Sequence, residues 1–148
     1  MPPTLAKKGK TDARVVGLGG VFFRARSPAK MSEWYRKHLG LKTTQNTALF
    51  TWRSRKASKK IGHTVWALFP ADTRYFRDAR KQFMINYRVR DLKGVVEKLR
   101  REGVKVAGKV EDSQYGRFAW VRDPEGNWLE LWEAPRKYKA PEEEMPME

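Results

Sequence analysis

The sequence predicts an α+β fold in which two βαβββ modules form a cupped, eight-stranded mixed sheet with its helices outside. Three observations predict it: the order of the elements, an internal repeat, and the alternation of side chains along the first strands. A shift of 64 residues superposes Arg24-Ala25-Arg26-Ser27 on Arg88-Val89-Arg90-Asp91. Both halves therefore carry the pattern R-x-R directly before a residue that favours the start of a helix.

The first module spans residues 14–70 and begins with a strand over residues 15–25. Ser27 is a good N-cap, Pro28 fits the first helical position, and Gly40 is typical of a helix end, so a helix follows. Short runs of β-favouring residues then predict three strands, at 41–44, 48–53 and 63–69, with Pro70 after the last.

The second module spans residues 83–134 and repeats this order. After a strand at 83–89, Asp91 is an N-cap, and Leu92, Val95, Val96 and Leu99 form an i, i+3, i+4, i+7 stripe that predicts a helix. Strands at 104–110, 116–122 and 128–133 complete the module. Residues 71–82 connect the modules; residues 1–13 and 135–148 are expected to be a poorly ordered basic leader and a flexible acidic tail.

The first strands of the modules predict which face of the sheet is covered by the helices. One face of each strand is apolar throughout and is expected to lie under a helix: Val21, Phe23 and Ala25 in one, Ile85, Tyr87 and Val89 in the other. The opposite faces are mixed and are predicted to line a cavity. They carry Gly20, Phe22 and Arg24 in the first module and Met84, Asn86 and Arg88 in the second.

The stretch DPEGNWLELWE, residues 123–133, is the centre of the functional prediction. Its Pro, Gly and Asn indicate a tight turn that leads into the last strand. Leu129 and Leu131 point to the core, whereas Trp128, Glu130 and Trp132 point to the other side. Two indoles beside one carboxylate are typical of a partly dry cavity, where burial would raise the pKa of Glu130 and let it act as a catalytic acid or base. The alternative is an exposed edge strand.

Composition limits the function classes. The 148 residues are enough for one domain, contain no cysteine for disulfides or thiolate metal sites, and hold no apolar run long enough to span a membrane. A soluble, cytoplasmic protein is expected. The net charge of +15 indicates anionic partners, and the basic loop RSRKASKK at 53–60 makes non-specific nucleic-acid binding an alternative function.

Three stretches resemble the vicinal oxygen chelate superfamily, also called the glyoxalase, bleomycin-resistance and dioxygenase group. They are WYRKHLGL, the helix end LRREG, and YGRFAWVRDPEGNWLELWE, within a region of about 14–134. The resemblance implies paired βαβββ modules, a cupped cavity, often a divalent metal, and a homodimer.

The enzymes of this superfamily hold their metal on the first and last strands of both modules. These positions fall on Gly20, Met84, Ala67 (or Trp66) and Glu130, of which only Glu130 can coordinate a metal. The sequence therefore predicts no complete metal site and no cofactor. His38 and His63 are expected to have structural roles.

The predicted function is binding of a small anionic or aromatic molecule, since paired arginines suit a carboxylate or phosphate and indoles suit a planar ring. Arg24 and Arg88 could instead neutralise Glu130, Asp91 or Glu111. A metal-dependent glyoxalase-type lyase or dioxygenase, with one divalent metal, is the alternative. The predicted ligand-binding residues are Phe22, Arg24, Met84, Asn86, Arg88, Trp128 and Trp132, with Glu130 as the catalytic residue.

Overall fold

A computed structural model of the chain describes residues 12–55 and 61–136. Most of the predicted leader and tail, and residues 56–60 of the basic loop, lie outside the described residues. The elements are β1 (Arg14–Ala25), α1 (Pro28–Leu39), β2 (Thr47–Arg53), β3 (Ile61–Pro70), β4 (Phe83–Arg90), α2 (Leu92–Arg101), β5 (Glu111–Ser113), β6 (Gly116–Arg122) and β7 (Trp128–Glu133).

The described strands form a seven-stranded mixed sheet in the order β2-β3-β1-β4-β7-β6-β5. β1 runs parallel to β3, while β2 and β3, β5 and β6, and β6 and β7 pair antiparallel. The α+β fold class is therefore confirmed. None of the helices in residues 12–55 and 61–136 is long and apolar enough to cross a membrane.

Two of the predicted strands are wrong. Residues 41–44 contribute only a bridge from Thr44 to Thr47, because Gln45 and Asn46 both have positive φ and turn the chain tightly. Residues 104–110 contribute only a bridge from Val106 to Val121, since Gly108 is left-handed and interrupts the extended backbone. The short strand β5 begins just after that interruption.

The chain divides into two compact units. The first unit comprises residues 18–86, so it includes the connector and the start of β4. The second comprises residues 87–136 of the described chain together with residues 12–17. Each repeated helix therefore lies in its own unit.

In the first unit, α1 starts and ends as its sequence predicts. Ser27 Oγ accepts a hydrogen bond from Lys30 N, Pro28 is the first helical residue, and Gly40 is left-handed after the last turn. Met31 and Tyr35 of this helix pack on a buried cluster of Phe23, Ala25 and Leu68. The prediction that Phe23 and Ala25 lie under the helix is confirmed.

In the second unit, the Asp91 carboxylate caps α2 by accepting from Gly94 N at 3.1 Å. The core of this unit lies between the helix and the sheet, and the predicted helical stripe belongs to it. Its buried members are Val89, Leu92, Val96, Ala119, Val121 and Leu131, with Tyr87, Val95, Leu99 and Leu129 packed against them.

Candidate functional site

The DPEGN turn is built by the Asp123 side chain. One carboxylate oxygen accepts from Glu125 N at 2.9 Å and Asn127 N at 2.8 Å, and the other accepts from Asn127 Nδ2 at 3.0 Å. Gly126 supplies the positive φ that the turn requires. The turn fixes the start of β7 and thereby decides which side chains of that strand share a face.

Glu130 lies on the side of β7 opposite the core and is buried, with 1% of its surface exposed. Trp132 is also buried and Trp128 is partly buried, whereas Leu129 and Leu131 belong to the core of the second unit. The prediction for the two leucines is confirmed, and the alternative of an exposed edge strand is wrong.

The register of β6 and β7 gives this face three cross-strand pairs. They are Phe118 with Trp132, Trp120 with Glu130, and Arg122 with Trp128. We call these six residues the Glu130 face. The Phe118–Trp132 pair joins two aromatic rings, and cross-strand aromatic pairs stabilise neighbouring strands.

The middle pair is a buried hydrogen bond. Trp120 Nε1 donates to Glu130 Oε2 at 2.9 Å, and Trp120 itself is 6% exposed. An indole N–H is a donor only, so this bond orients the Glu130 carboxylate by occupying one of its oxygens. Sequence reasoning missed Trp120 and Phe118. The alternation of Phe118, Trp120 and Arg122 against Ala119 and Val121 could have placed both on this face.

The rings at one end of the Glu130 face are nearly parallel. The Phe118 ring lies 6.3 Å from Trp132 at 17° and 6.3 Å from Trp120 at 14°. Trp132 Nε1 donates to Tyr115 O at 2.8 Å, which fixes that indole. This end of the face is therefore a rigid aromatic surface.

Two guanidinium groups lie over indoles of the second unit. Arg88 Cζ is 5.4 Å from the Trp132 ring centre, and Arg122 Cζ is 5.8 Å from that of Trp128. Both distances are in the range of cation–π contacts. Arg88 is partly buried and Arg122 is exposed. The second unit thus combines a buried acceptor, stacked rings and two cations.

In the first unit, Arg24 fastens the connector. Its Nε donates to Lys81 O at 2.7 Å, its Nη1 to Ala71 O at 2.7 Å and Thr73 O at 2.9 Å, and its Nη2 to Asp78 O at 3.0 Å. These bonds use four of the five guanidinium donors. The arrangement favours a structural role for Arg24 over ligand binding and differs from the proposed pairing with a carboxylate.

The connector also covers aromatic side chains of the first unit. Phe76 is 1% exposed, lies 5.2 Å from Phe69, and has the Arg24 guanidinium 4.9 Å above its ring. Phe69 in turn lies 5.3 Å from Phe22. Within the connector, hydrogen bonds from the side chain and then from the backbone N–H of Arg80 to the Asp78 carboxylate lower the pKa of Asp78 to about 2.

The remaining predicted residues of the first unit are buried. Met84 is 1%, Asn86 3% and His63 7% exposed. His38 is exposed on α1, with its ring 5.1 Å from that of Trp34.

Of the residues predicted at the superfamily metal positions, only Glu130 has a side chain with an oxygen or nitrogen donor for a metal. A Cβ added at Gly20 would lie 2.6 Å from Phe22 Cε1, so the Phe22 ring fills the space of a ligand there. Ala67 is aligned with Phe22 on the neighbouring strand, and neither it nor Met84 carries an oxygen or nitrogen donor. In residues 12–55 and 61–136, His, Asp and Glu side chains form no group of three that could hold an ion.

A separate cavity of about 300 Å³ lies in the second unit, on the helix side of the sheet. It does not include the Glu130 face. Its lining comprises Lys93, Val96, Glu97, Arg100, Val110, Asp112 and Arg117.

Solved structures with this fold include methylmalonyl-CoA epimerase from Mycobacterium tuberculosis, with a TM-score of 0.55 and 20% identity over 83% of this chain and 91% of that one. Methylmalonyl-CoA epimerase from Streptomyces coelicolor, in complex with 2-nitronate-propionyl-CoA, gives 0.61 and 14% over 86% and 100%. A glyoxalase/bleomycin resistance protein/dioxygenase superfamily member from Vibrio splendidus 12B01 gives 0.50 and 11% over 82% and 98%.

None of the curated proteins matches the sequence. A family model, in contrast, matches residues 17–131, which is most of the chain and includes both helices and the DPEGN turn. The resemblance predicted from WYRKHLGL, LRREG and the last strand is therefore confirmed, and the chain belongs to the Glyoxalase/Bleomycin resistance protein/Dioxygenase superfamily.

Proposed function

We propose that this protein binds a small, planar, anionic molecule on the Glu130 face of its second unit. The observation that carries the proposal is the buried Glu130 carboxylate, held by Trp120 in a row of aromatic rings with cations at its ends. Rings of this kind give a planar ligand contact area at a low cost in side-chain entropy.

Each group has a distinct role in the proposal. The parallel rings of Phe118, Trp120 and Trp132 favour an aromatic ligand that stacks or packs edge to face. Arg122 supplies a cation for the ligand's carboxylate or phosphate, at the more exposed end of the face. Glu130 accepts a hydrogen bond from a hydroxyl or amine of the ligand, which selects for ligands that carry a donor.

The donor atoms at the superfamily metal positions favour ligand binding without a resident metal. A lyase or dioxygenase of this superfamily would need several oxygen or nitrogen donors, and Gly20, Ala67 and Met84 supply none. The epimerases share only the fold at 14–20% identity, so their substrates are not assigned to this chain. Elemental analysis of protein purified without a chelator tests this part, and a stoichiometric divalent metal would overturn it.

A matched series of ligands tests the binding site. We expect 4-hydroxybenzoate, which is planar and anionic and carries a donor, to quench tryptophan fluorescence and raise the melting temperature. Benzoate lacks the donor, phenol lacks the charge, and cyclohexanecarboxylate lacks the planar ring, so each should bind more weakly. The loss for benzoate should be about tenfold, corresponding to one buried hydrogen bond of ~1–2 kcal/mol.

Two variants separate the Glu130 face from the rest of the protein. Glu130→Gln should remove the preference for 4-hydroxybenzoate over benzoate and leave the fold intact, because Gln has nearly the same shape. Glu125→Gln is the control, since Glu125 is exposed on the DPEGN turn and only its backbone N–H is used there. Equal titrations for wild type and Glu130→Gln would refute the proposed site.

A further inference from the structure

Among the described residues, the first unit carries the larger excess of positive charge. Residues 18–55 and 61–86 contain 12 Lys and Arg residues and only 3 Asp and Glu residues, whereas residues 12–17 and 87–136 contain 12 and 10. Two of the three acidic side chains are already paired, Glu33 with Arg36 and Asp78 with Arg80. An asymmetry of this size between two halves of one chain favours a polyanionic partner.

The exposed face of α1 carries an aromatic ring between cations. Trp34 is 51% exposed, and Lys30 and Lys37, at positions i−4 and i+3, are exposed on the same side of the helix. The His38 ring is 5.1 Å from the indole and Tyr35 packs edge to face on it at 5.2 Å, so the indole is supported although it is exposed. Trp side chains are highly buried on average, so an indole that is half exposed is available for contact with a ligand.

Further exposed cations lie beside both ends of α1. Arg26 precedes the helix and Lys42 follows it, while Lys30 and Lys37 lie within its 12 residues, which span about 18 Å. Charge spread over this length fits several phosphates of a chain better than one small anion.

We propose that the first unit binds single-stranded nucleic acid along α1, with a base stacked on Trp34 and phosphates bound by Lys30 and Lys37. Single strands are bound by basic surfaces that follow the backbone and by aromatic side chains that stack on exposed bases. This activity is independent of the Glu130 face, which lies in the second unit. It also differs from binding through the basic loop alone, because α1 supplies the ring.

Fluorescence anisotropy of the full-length protein with a labelled oligouridine of about 12 nucleotides tests the proposal, since one site of this kind covers roughly 4–16 nucleotides. We expect Trp34→Ala to weaken binding about tenfold and Trp34→Phe to restore most of it, because stacking on one base contributes ~1–3 kcal/mol. The double variant Lys30→Glu/Lys37→Glu should make the slope of log affinity against log salt shallower by about 1.4, at roughly 0.7 per lost phosphate contact.

The control replaces exposed cations of the other helix with the same change in net charge. Lys93→Glu/Arg101→Glu on α2 should leave the affinity and its salt dependence nearly unchanged. Equal losses for the two double variants would indicate attraction by net charge only and would overturn the site. An unchanged oligouridine affinity for Trp34→Ala would overturn the site as well. Binding to phosphatidylserine vesicles that oligouridine does not displace would also overturn it. Circular dichroism of each variant checks that the fold is retained.

Discussion

Replacing Arg24 with Met should release the connector of the first unit while leaving the sheet folded. The Arg24 guanidinium donates four hydrogen bonds, of 2.7–3.0 Å, to the carbonyls of Lys81, Ala71, Thr73 and Asp78. Met keeps the apolar stem of the side chain but supplies no donor. The four carbonyls must then find water, which requires residues 71–82 to move and the Phe76 ring to leave its buried position.

The size of the change in the free energy of opening depends on the positive charge of the guanidinium donor. A hydrogen bond to a charged group contributes about 1.5–3 kcal/mol, and four in one network are not additive because the released carbonyls regain water. We expect the free energy of opening the connector to fall by about 3–4 kcal/mol, including the cation–π contact with Phe76. At 1.4 kcal/mol for each factor of ten, the open population should rise several-hundred-fold, on the order of 10² to 10³.

Limited proteolysis measures this opening directly. Arg74, Arg77 and Arg80 are exposed trypsin sites within the connector, and native-state cleavage follows the open population when closing is fast. Mass spectrometry identifies the cleaved bond, and urea unfolding gives the global stability. Arg26→Met is the control, because Arg26 is exposed two residues away. If cleavage of Arg24→Met in the connector matched that of Arg26→Met, the fastening role would be refuted.

Two further predictions concern the same unit. The pKa of Asp78 is about 2 in the folded protein against an ordinary 3.8, so its stabilising effect should be full above 3.8 and be lost as the pH falls through about 2. Carbon-13 NMR of the Asp78 carboxyl checks the midpoint, and a titration near 3.8 would contradict it. Gly62→Ala should destabilise the protein by about 1–3 kcal/mol, because a Cβ there would lie 2.2 Å from the Trp52 ring. Trp52→Leu in the same chain should relieve most of that loss, and a double-mutant cycle without coupling would count against the contact.

Much of the fold could be predicted because its signals are local. Ser27, Pro28 and Gly40 define α1 without reference to the rest of the chain, and the Leu92 to Leu99 stripe defines the buried face of α2. The two strands that are predicted wrongly depend instead on backbone conformations that the residue pattern does not specify. Residues 104–110 alternate as a strand should, but the left-handed backbone at Gly108 decides their conformation, and a glycine in a sequence only permits that backbone.

The Glu130 face could be predicted only in part, because its composition depends on a register between two strands. The alternation of β7 placed Trp128, Glu130 and Trp132 together, but the pairing of Trp120 with Glu130 requires the alignment of β6 on β7. The sequence of one strand does not show which residues of the neighbouring strand lie opposite it. The residue that holds the candidate carboxylate was therefore missed, although its own strand was predicted correctly.

The repeat explains why Arg24 and Arg88 are predicted to have the same role and why the structure places them in different surroundings. Arg24 and Arg88 are equivalent in sequence, and equivalence predicts equivalent roles. Their surroundings differ because the connector, residues 71–82, packs against Arg24 in the first unit. In the first unit, the connector brings four carbonyls to Arg24 and places Phe76 under its guanidinium. In the second unit, Arg88 lies over Trp132, beside the row of rings that contains Glu130. An internal repeat therefore predicts which backbone positions correspond, whereas the segments that pack around each position decide what its side chain does. For this reason, we propose ligand binding for the second unit only, whereas Arg24 holds the connector in place.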